Sequence, residues 1–255
     1  MADQLFNLEG KVALVTGSSG GLGKTMAEGL ARNGVTVIIN GRNREKTEAT
    51  LKEFREKGYK ASVSNFDVTD SKEIRRAVEQ ISLEPGVPDI IVNNAGINRR
   101  HRLEDFPEDG WDAVIDTNLK SAYLVSNAFV KAMIRRGSGK IINICSLQSE
   151  LGRSTVTPYA ASKGGLKMLT RGMATEWAVH NIQVNGIGPG YFKTDMTRPL
   201  YENKEFDNWL TRRTPAQRWG EPEELVGTVL FLSSDASGFV NGQLIFVDGG
   251  ITASI

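Results

Sequence analysis

Hydrophobic and polar positions follow two rhythms along this chain, and their alternation predicts its elements. Short apolar, β-branched runs at 11–16, 35–40, 60–66, 89–93, 140–145, 183–187 and 244–247 predict strands. Amphipathic stretches at 24–32, 44–57, 71–82, 110–135, 158–180 and 222–232 predict helices between them. Strands joined through helices of this length pair in parallel, with right-handed crossovers.

The expected class is therefore α/β: a Rossmann-type, doubly wound parallel sheet of about seven strands with helices on both faces. A chain of 255 residues, 40% of them hydrophobic, buries a sizeable core, and no repeat, low-complexity tract or Pro/Ser-rich linker divides it. One domain over 1–255 is expected. The stretch 190–219 is long for a connection, polar and aromatic without clear periodicity, and is expected to form a mobile substrate lid.

Charge and cysteine content narrow the partners. Lys and Arg (31) nearly balance Asp and Glu (30), and basic pairs such as Arg75-Arg76 and Arg135-Arg136 are scattered, so nucleic acid is not an expected partner. The single cysteine, Cys145, cannot form an internal disulfide, and His101 and His180 show no metal-ligand spacing with it. No metal and a reducing cytoplasmic setting are expected. Residues 1–8 lack the basic region and apolar stretch of a signal peptide, and no later run approaches a bilayer span, so no membrane association is expected.

In a doubly wound sheet ligands bind beyond the carboxyl ends of the strands. Thr16-Gly17-x-x-x-Gly21-x-Gly23 lies there, between a strand and a helix, where glycine lets a pyrophosphate approach helix N–H groups. The alternative is a merely structural glycine turn. Tyr159 and Lys163 stand four apart on a predicted helix and share a face. A nearby ammonium favours the phenolate, so Tyr159 could act as general acid or base closer to neutrality. Ser146 ends a strand on the ligand side, where its hydroxyl can bond a carbonyl or alcohol, or simply cap a turn. Cys145 should point to the opposite face and is read as core rather than as a catalytic thiol.

Together with Asn93-Asn94-Ala95-Gly96, Asn118 and Pro189-Gly190, these motifs resemble the short-chain dehydrogenase/reductase family over essentially the whole chain. The resemblance implies an NAD(P)-dependent oxidoreductase with a catalytic tetrad of Asn118, Ser146, Tyr159 and Lys163. It implies that Tyr159 protonates the carbonyl oxygen in reduction while Ser146 polarises it, and that Lys163 binds the nicotinamide ribose and tunes Tyr159. Asn118 would hold a proton-relaying water, its side chain substituting for a broken helical bond. Cofactor contacts would come from Gly17, Ser18, Ser19, Gly21, Leu22 and Gly23, from Asp67 and Val68 at the adenine, and from Asn94, Ala95 and Gly96. Pro189, Gly190 and Thr194 would complete them. The resemblance also implies a homotetramer, with helices 110–135 and 158–180 pairing across subunits through small residues such as Ala160, Ala161, Gly164 and Gly165.

Asn98-Arg99-Arg100-His101, 144–153 and Gly190-Tyr191-Phe192-Lys193-Thr194 resemble the branch of that family that interconverts D-gluconate and 5-dehydro-D-gluconate. A sugar-acid substrate is therefore expected, with Arg100 near its carboxylate and Gln148 and Glu150 on its hydroxyls, Arg100 and Glu150 at opposite ends. Solvated loop residues are the alternative. After the second strand, Asn40-Gly41-Arg42-Asn43 offers no carboxylate to the adenine ribose, and Arg42 is placed to pair with a 2′-phosphate, helped by Ser18 or Ser19. NADP(H) is thus preferred, with NAD(H) the lesser option. Two readings compete: a 3-oxoacyl-carrier-protein reductase, disfavoured by the polar stretch 148–150, and a non-catalytic dinucleotide-binding regulator, disfavoured by the intact tetrad.

Overall fold

The computed structural model describes residues 2–255, with side chains from residue 4 onward. Its strands are β1 (Val12–Val15), β2 (Thr36–Asn40), β3 (Ala61–Ser64), β4 (Ile90–Asn93), β5 (Gly139–Ile144), β6 (Ile182–Pro189) and β7 (Leu244–Val247). They form one seven-stranded sheet in the order β3-β2-β1-β4-β5-β6-β7, and every neighbouring pair is parallel. The helices are α1 (Ala2–Leu5), α2 (Gly21–Arg32), α3 (Arg44–Glu56), α4 (Ser71–Leu83), α5 (Glu108–Ile115), α6 (Ser121–Arg136), α7 (Thr157–Trp177), α8 (Arg198–Tyr201), α9 (Lys204–Arg213) and α10 (Val226–Ser233). Among the described residues, no helix is long and apolar enough to cross a membrane.

Strand alternation builds two cores from one sheet. Ala13 and Val15 of β1 pack into a cluster with Met26, Ala27 and Leu30 of α2, Phe54 of α3 and Val229 of α10. Leu14, between them, faces the other way, toward Ile74 of α4, Phe129 and Met133 of α6 and Met173 of α7. Because both faces are covered, central strands read as continuous apolar runs: Ile90, Ile91 and Val92 are each 0% exposed. The strand order reverses between β1 and β4, and their chain connections leave toward opposite faces, which opens a crevice above their carboxyl ends.

Two predicted elements differ from the structure. The helix expected over 110–135 is interrupted by a π turn at Asp116–Lys120, which hydropathy alone cannot register because the apolar face continues through it. The segment 190–219 is not irregular: it contains α8 and α9, and α9 is capped by Asn203, whose side chain accepts from the Glu205 and Phe206 N–H groups, both at 3.0 Å. Its apolar positions pack partly on one another and partly on Leu147, Leu151 and Ile251, so the usual one-face periodicity is blurred.

A buried polar chain ties the sheet to the helices that carry the candidate chemistry. Asn93 Nδ2 donates to Ser126 Oγ (2.9 Å) and to Asn143 Oδ1 (2.8 Å), its partner across the β4–β5 ladder. Asn143 Nδ2 donates to Thr170 Oγ1 of α7 at 2.8 Å. Replacing Asn143 by Ala strands a donor and an acceptor in the core, each costing about 1–3 kcal/mol when unsatisfied. Asn143→Ala should therefore lower the unfolding free energy in urea by about 2 kcal/mol or more; a change below about 0.5 kcal/mol would show that the network does not fix α7 to the sheet.

Candidate active site

Between β1 and β4 the backbone is clasped. The N–H groups of Asn94 and Ala95 both donate to Thr16 Oγ1 at 3.0 Å, and Asn94 Nδ2 donates to the carbonyls of Thr16 (2.9 Å) and Gly17 (3.2 Å). Gly17 (φ 64°) is left-handed, and Gly23 is required for space, since a Cβ there would lie 2.4 Å from Asn94 Nδ2 and 2.5 Å from Gly17 O. Helix α2 begins behind Gly20, which supplies no side-chain cap, so its first N–H groups face the crevice without an internal acceptor. A cleft of about 630 Å³ results, walled here by Gly17, Ser19, Gly21, Leu22, Gly23, Asn94, Ala95 and Gly96.

At one end stand Arg42, Asp67 and Val68, as the sequence indicates, joined by Lys46. Arg42 lies 3.5 Å from Asp67 Oδ2 and is largely exposed. Burial pushes the Asp67 carboxyl up, but hydrogen bonds from the Thr69 N–H and hydroxyl, with the Arg42 charge, leave it below its ordinary value. Ser18 does not reach the cleft. It is 0% exposed, its hydroxyl donates to Val15 O at 2.7 Å and accepts the Asn40 N–H at 3.1 Å, so it holds the turn instead of a ligand. Asn40 does the same, its Oδ1 accepting the Gly17 N–H while Nδ2 donates to Ser64 O and Phe66 O.

At the other end Ser146, Tyr159 and Lys163 share the wall with Pro189, Gly190 and Thr194. Gly190 must be glycine, since a Cβ would fall 2.7 Å from Asp248 Cα. Ser146 follows β5 and caps the turn Leu147–Ser149, its Oγ accepting the Gln148 N–H at 3.2 Å and donating to Gln148 Oε1 at 3.1 Å. Lys163 is 4% exposed; its Nζ donates to Ile144 O at 2.6 Å and lies 5.7 Å from the Tyr159 ring centre. Burial lowers the Lys163 ammonium to about 8 and raises the Tyr159 phenol, against which the Ser146 hydroxyl acts. The lowering of Tyr159 by its lysine is not seen in the free protein, where burial dominates the phenol and Lys163 Nζ is engaged by the Ile144 carbonyl. Cys145 is buried beside Ala122 and Leu166, its thiol pushed up to about 11 by burial.

Asn118 sits on the π turn, 1% exposed and behind the cleft wall. Its side chain does not replace a helical bond. It pairs with both backbone groups of Ile97, accepting the N–H at 2.8 Å and donating to the C=O at 2.9 Å, and donates to Ser162 Oγ at 3.1 Å. Gly165 is explained within the chain, a Cβ there falling 2.8 Å from Leu119 Cδ2.

The three expected substrate contacts separate. Gln148 faces Ser146, and Glu150 is ion-paired with Lys167 of α7; neither of them, nor Arg100, is among the residues that wall the cleft. Arg100 is exposed on the loop after β4, and burial and then the charge of Arg153 hold its guanidinium below its ordinary value. Lys46 and the turn-holding Asn40 line the cleft and were missed by motif reading; Lys46, one turn into the helix after Arg42, carried a readable signal.

Residues 11–205 match the family model described as short chain dehydrogenase. The 5-keto-D-gluconate 5-reductase of Escherichia coli strain K12 is 53% identical over 253 residues, 99% of this chain and 100% of that protein. The gluconate 5-dehydrogenase of Gluconobacter oxydans is 52% identical over 251 residues, 98% of each. A gluconate 5-dehydrogenase from Burkholderia cenocepacia J2315, solved in complex with NADP and tartrate, superposes with a TM-score of 0.97 at 48% identity and full coverage of both chains. With the cleft at the strand reversal and a family match over most of the sequence, the chain belongs to the short-chain dehydrogenase family of oxidoreductases.

Proposed function

We propose that this chain is an NADP(H)-dependent gluconate 5-dehydrogenase, interconverting D-gluconate and 5-dehydro-D-gluconate. We read it as one dinucleotide-binding domain over 1–255 with a substrate lid at 190–219, working in the cytoplasm as a homotetramer. The observation that carries the reading is that Ser146, Tyr159 and Lys163 converge at one end of a single cleft whose far end presents Arg42 and Lys46. Relatives above half identity that bear gluconate names support the substrate.

The uncapped start of α2, the glycine turn and the basic end of the cleft fit a phosphorylated dinucleotide. When bound, its nicotinamide supplies or accepts the hydride. Arg42 and Lys46 hold the 2′-phosphate, Asp67 and Val68 border the adenine, and Asn94 to Gly96, Pro189, Gly190 and Thr194 fix the ring end. In reduction Tyr159 gives its phenolic proton to the substrate oxygen, while Ser146 turns its O–H from Gln148 to that oxygen. Lys163, next to Tyr159, stabilises the phenolate left behind. Asn118 locks the π turn to Ile97 and α7, and the loosened turn holds the water that returns a proton. Gln148 binds a substrate hydroxyl and Arg100 the carboxylate; Glu150, paired with Lys167, is not assigned a hydroxyl.

With NADP, wild-type protein should oxidise D-gluconate more efficiently than neutral sorbitol. Tyr159→Phe should lower kcat by about 10²–10⁴-fold, the usual worth of a positioned acid or base, while NADPH binding read by fluorescence stays within about twofold. Preference for sorbitol would overturn the substrate, and near-normal turnover would remove Tyr159 from the chemistry.

Arg42→Ala should weaken NADPH by roughly tenfold or more in a direct binding titration and leave NADH nearly unchanged, since a charge-assisted phosphate bond contributes about 1.5–3 kcal/mol. Lys46→Ala should act in the same direction. Tighter wild-type binding of NADH than NADPH would reverse the cofactor assignment.

Lys163 adds a pH signature. Its folded value of about 8 lies below the ordinary 10.5, so between them the unfolded chain holds the extra proton and stability rises with pH. Urea unfolding of the cofactor-free protein should show wild type gaining on Lys163→Met between pH 8 and pH 10.5. A flat difference over that window would place Lys163 in an ordinary solvated state.

A further inference from the structure

Arg100 and Arg153 leave different strands, one on the loop after β4 and the other beyond the turn after β5. The two loops are stitched by the His101 N–H donating to Thr155 O at 3.2 Å. Their neighbours are neutralised: Arg99 pairs with Asp109 at 3.6 Å, Arg102 with Glu104 at 3.7 Å, and Glu150 with Lys167. Among the described residues, neither Arg100 nor Arg153 has a carboxylate within 4.0 Å. Burial first, and then the charge of Arg153, hold the Arg100 guanidinium below its ordinary value, so the two cations lie close enough to interact and neither has a counter-ion.

Arg153 is nevertheless held firmly, by the segment that follows Gly190. Its Nη1 donates to Tyr191 Oη at 3.0 Å, and its guanidinium carbon lies 4.6 Å from the Phe206 ring centre and 5.9 Å from that of Tyr191. Tyr191 and Phe206 meet edge to face at 5.7 Å, and Tyr191 meets Trp219 the same way at 5.7 Å. Trp219 is anchored in turn, its Nε1 donating to Asp207 Oδ1 at 2.6 Å. Tyr191 stands between Gly190 and Phe192, which both line the cleft with Tyr159. The cation is thus carried on an aromatic shelf next to the reacting end of the cleft, with its remaining donors uncommitted.

We propose that Arg153 is the second cation of an anion subsite shared with Arg100, and that Tyr191 and Phe206 present it so that a sugar-acid carboxylate is gripped between the two loops. This deepens the sugar-acid reading and rests on it. The subsite makes the anionic end of the substrate, rather than its hydroxyls, the handle that brings the 190–219 segment and the 97–101 loop to the same ligand. A purely structural latch between Arg153 and its aromatic shelf would instead affect charged and neutral ligands alike.

Calorimetric titration of the NADPH-loaded protein, in which gluconate binds without reacting, separates these outcomes. D-gluconate and neutral sorbitol are titrated into wild type, Arg153→Met, Arg153→Lys, Arg100→Met and the Arg100→Met/Arg153→Met double variant. Arg153→Met should weaken gluconate by roughly 10- to 100-fold, flatten its salt dependence and leave NADPH affinity within about twofold. Arg153→Lys should recover part of the loss, because it keeps the charge and loses the fork. The double variant should lose less than the summed singles, as expected when two groups serve one ligand. Unchanged gluconate affinity in Arg153→Met overturns the subsite, as does unaltered salt dependence with equal weakening of gluconate and sorbitol. Should Arg153→Met not fold, full wild-type affinity and salt dependence in Arg153→Lys together with unchanged binding in Arg100→Met overturns it equally. Wild type that binds gluconate through Arg153 without oxidising it leaves the subsite standing and removes the gluconate reading; wild type that neither binds nor oxidises gluconate removes both.

Discussion

Everything at the cleft depends on how two diverging strands are kept together at their open ends. β1 and β4 are paired through Ala13–Ile90, Leu14–Ile91 and Val15–Val92, after which their chains leave in opposite directions. The Thr16 hydroxyl then accepts the N–H groups of Asn94 and Ala95, and Asn94 reaches back to the Thr16 and Gly17 carbonyls. One hydroxyl and one amide therefore satisfy the backbone groups that the strand reversal would otherwise leave buried and unpaired. The same amide occupies the volume beside Gly23, which couples the start of α2 to the tip of β4. Shape and backbone satisfaction are one constraint at this point, and the crevice is its by-product.

From that clasp the polar groups of the interior run toward the reacting end. Asn93 is adjacent to Asn94 and feeds the Asn143–Thr170 chain into α7, while Asn118 pins the π turn to Ile97 and to Ser162 of the same helix. α7 is thereby fixed by one bond from β5 and one from the π turn, and Tyr159 and Lys163 inherit its placement. Their electrostatics in the free protein pull in different directions: burial lowers the Lys163 ammonium to about 8, which leaves it mostly charged at neutral pH, and raises the Tyr159 phenol. Such a pair is held in reserve. A phenolate becomes accessible when positive charge enters the cleft and when an oxygen arrives to share the proton, so proton transfer is linked to an assembled site instead of occurring in the empty one.

The sheet was legible because both periodicities are strong: seven apolar runs, each followed or preceded by a helix, leave few topologies that obey right-handed crossover. Glycine positions and the Tyr159–Lys163 spacing were legible for a similar reason, being local consequences of turn geometry and helical pitch. What escaped was set by contacts distant in sequence. Ser18 looks like its neighbour Ser19 until Asn40, 22 residues on, claims its hydroxyl. Glu150 looks like a ligand until Lys167, 17 residues on, neutralises it. Arg153 looks like an ordinary loop cation until Tyr191 and Phe206, well over 30 residues away, are found beneath it. The π turn belongs to the same class, since its Asn118 is engaged by Ile97 across 21 residues.

Charge distribution links these observations. The chain as a whole is almost neutral, at formal net charge +1, and many of its cations are spent on carboxylates, as with Lys24 on Glu53 and Lys57 on Glu28 and Glu53. Against that background the groups around the cleft are unusual for how little they are neutralised. Arg42 has only the long 3.5 Å contact to Asp67, and Lys46, Arg100 and Arg153 have no carboxylate partner within 4.0 Å among the described residues. Exposed pairs such as Arg42–Asp67 contribute at most about 1 kcal/mol, so Arg42 can be recruited by a phosphate at little cost. Arg100 and Arg153 lose nothing on meeting a carboxylate, because no internal pair has to break first. A long cleft with little-neutralised cations at its far end and the Tyr159 phenol beside the Lys163 ammonium at the other suits the phosphorylated dinucleotide and anionic substrate proposed above. In that proposed reaction, the lack of a carboxylate on Lys163 among the described residues keeps its charge available to the phenolate that proton transfer leaves on Tyr159.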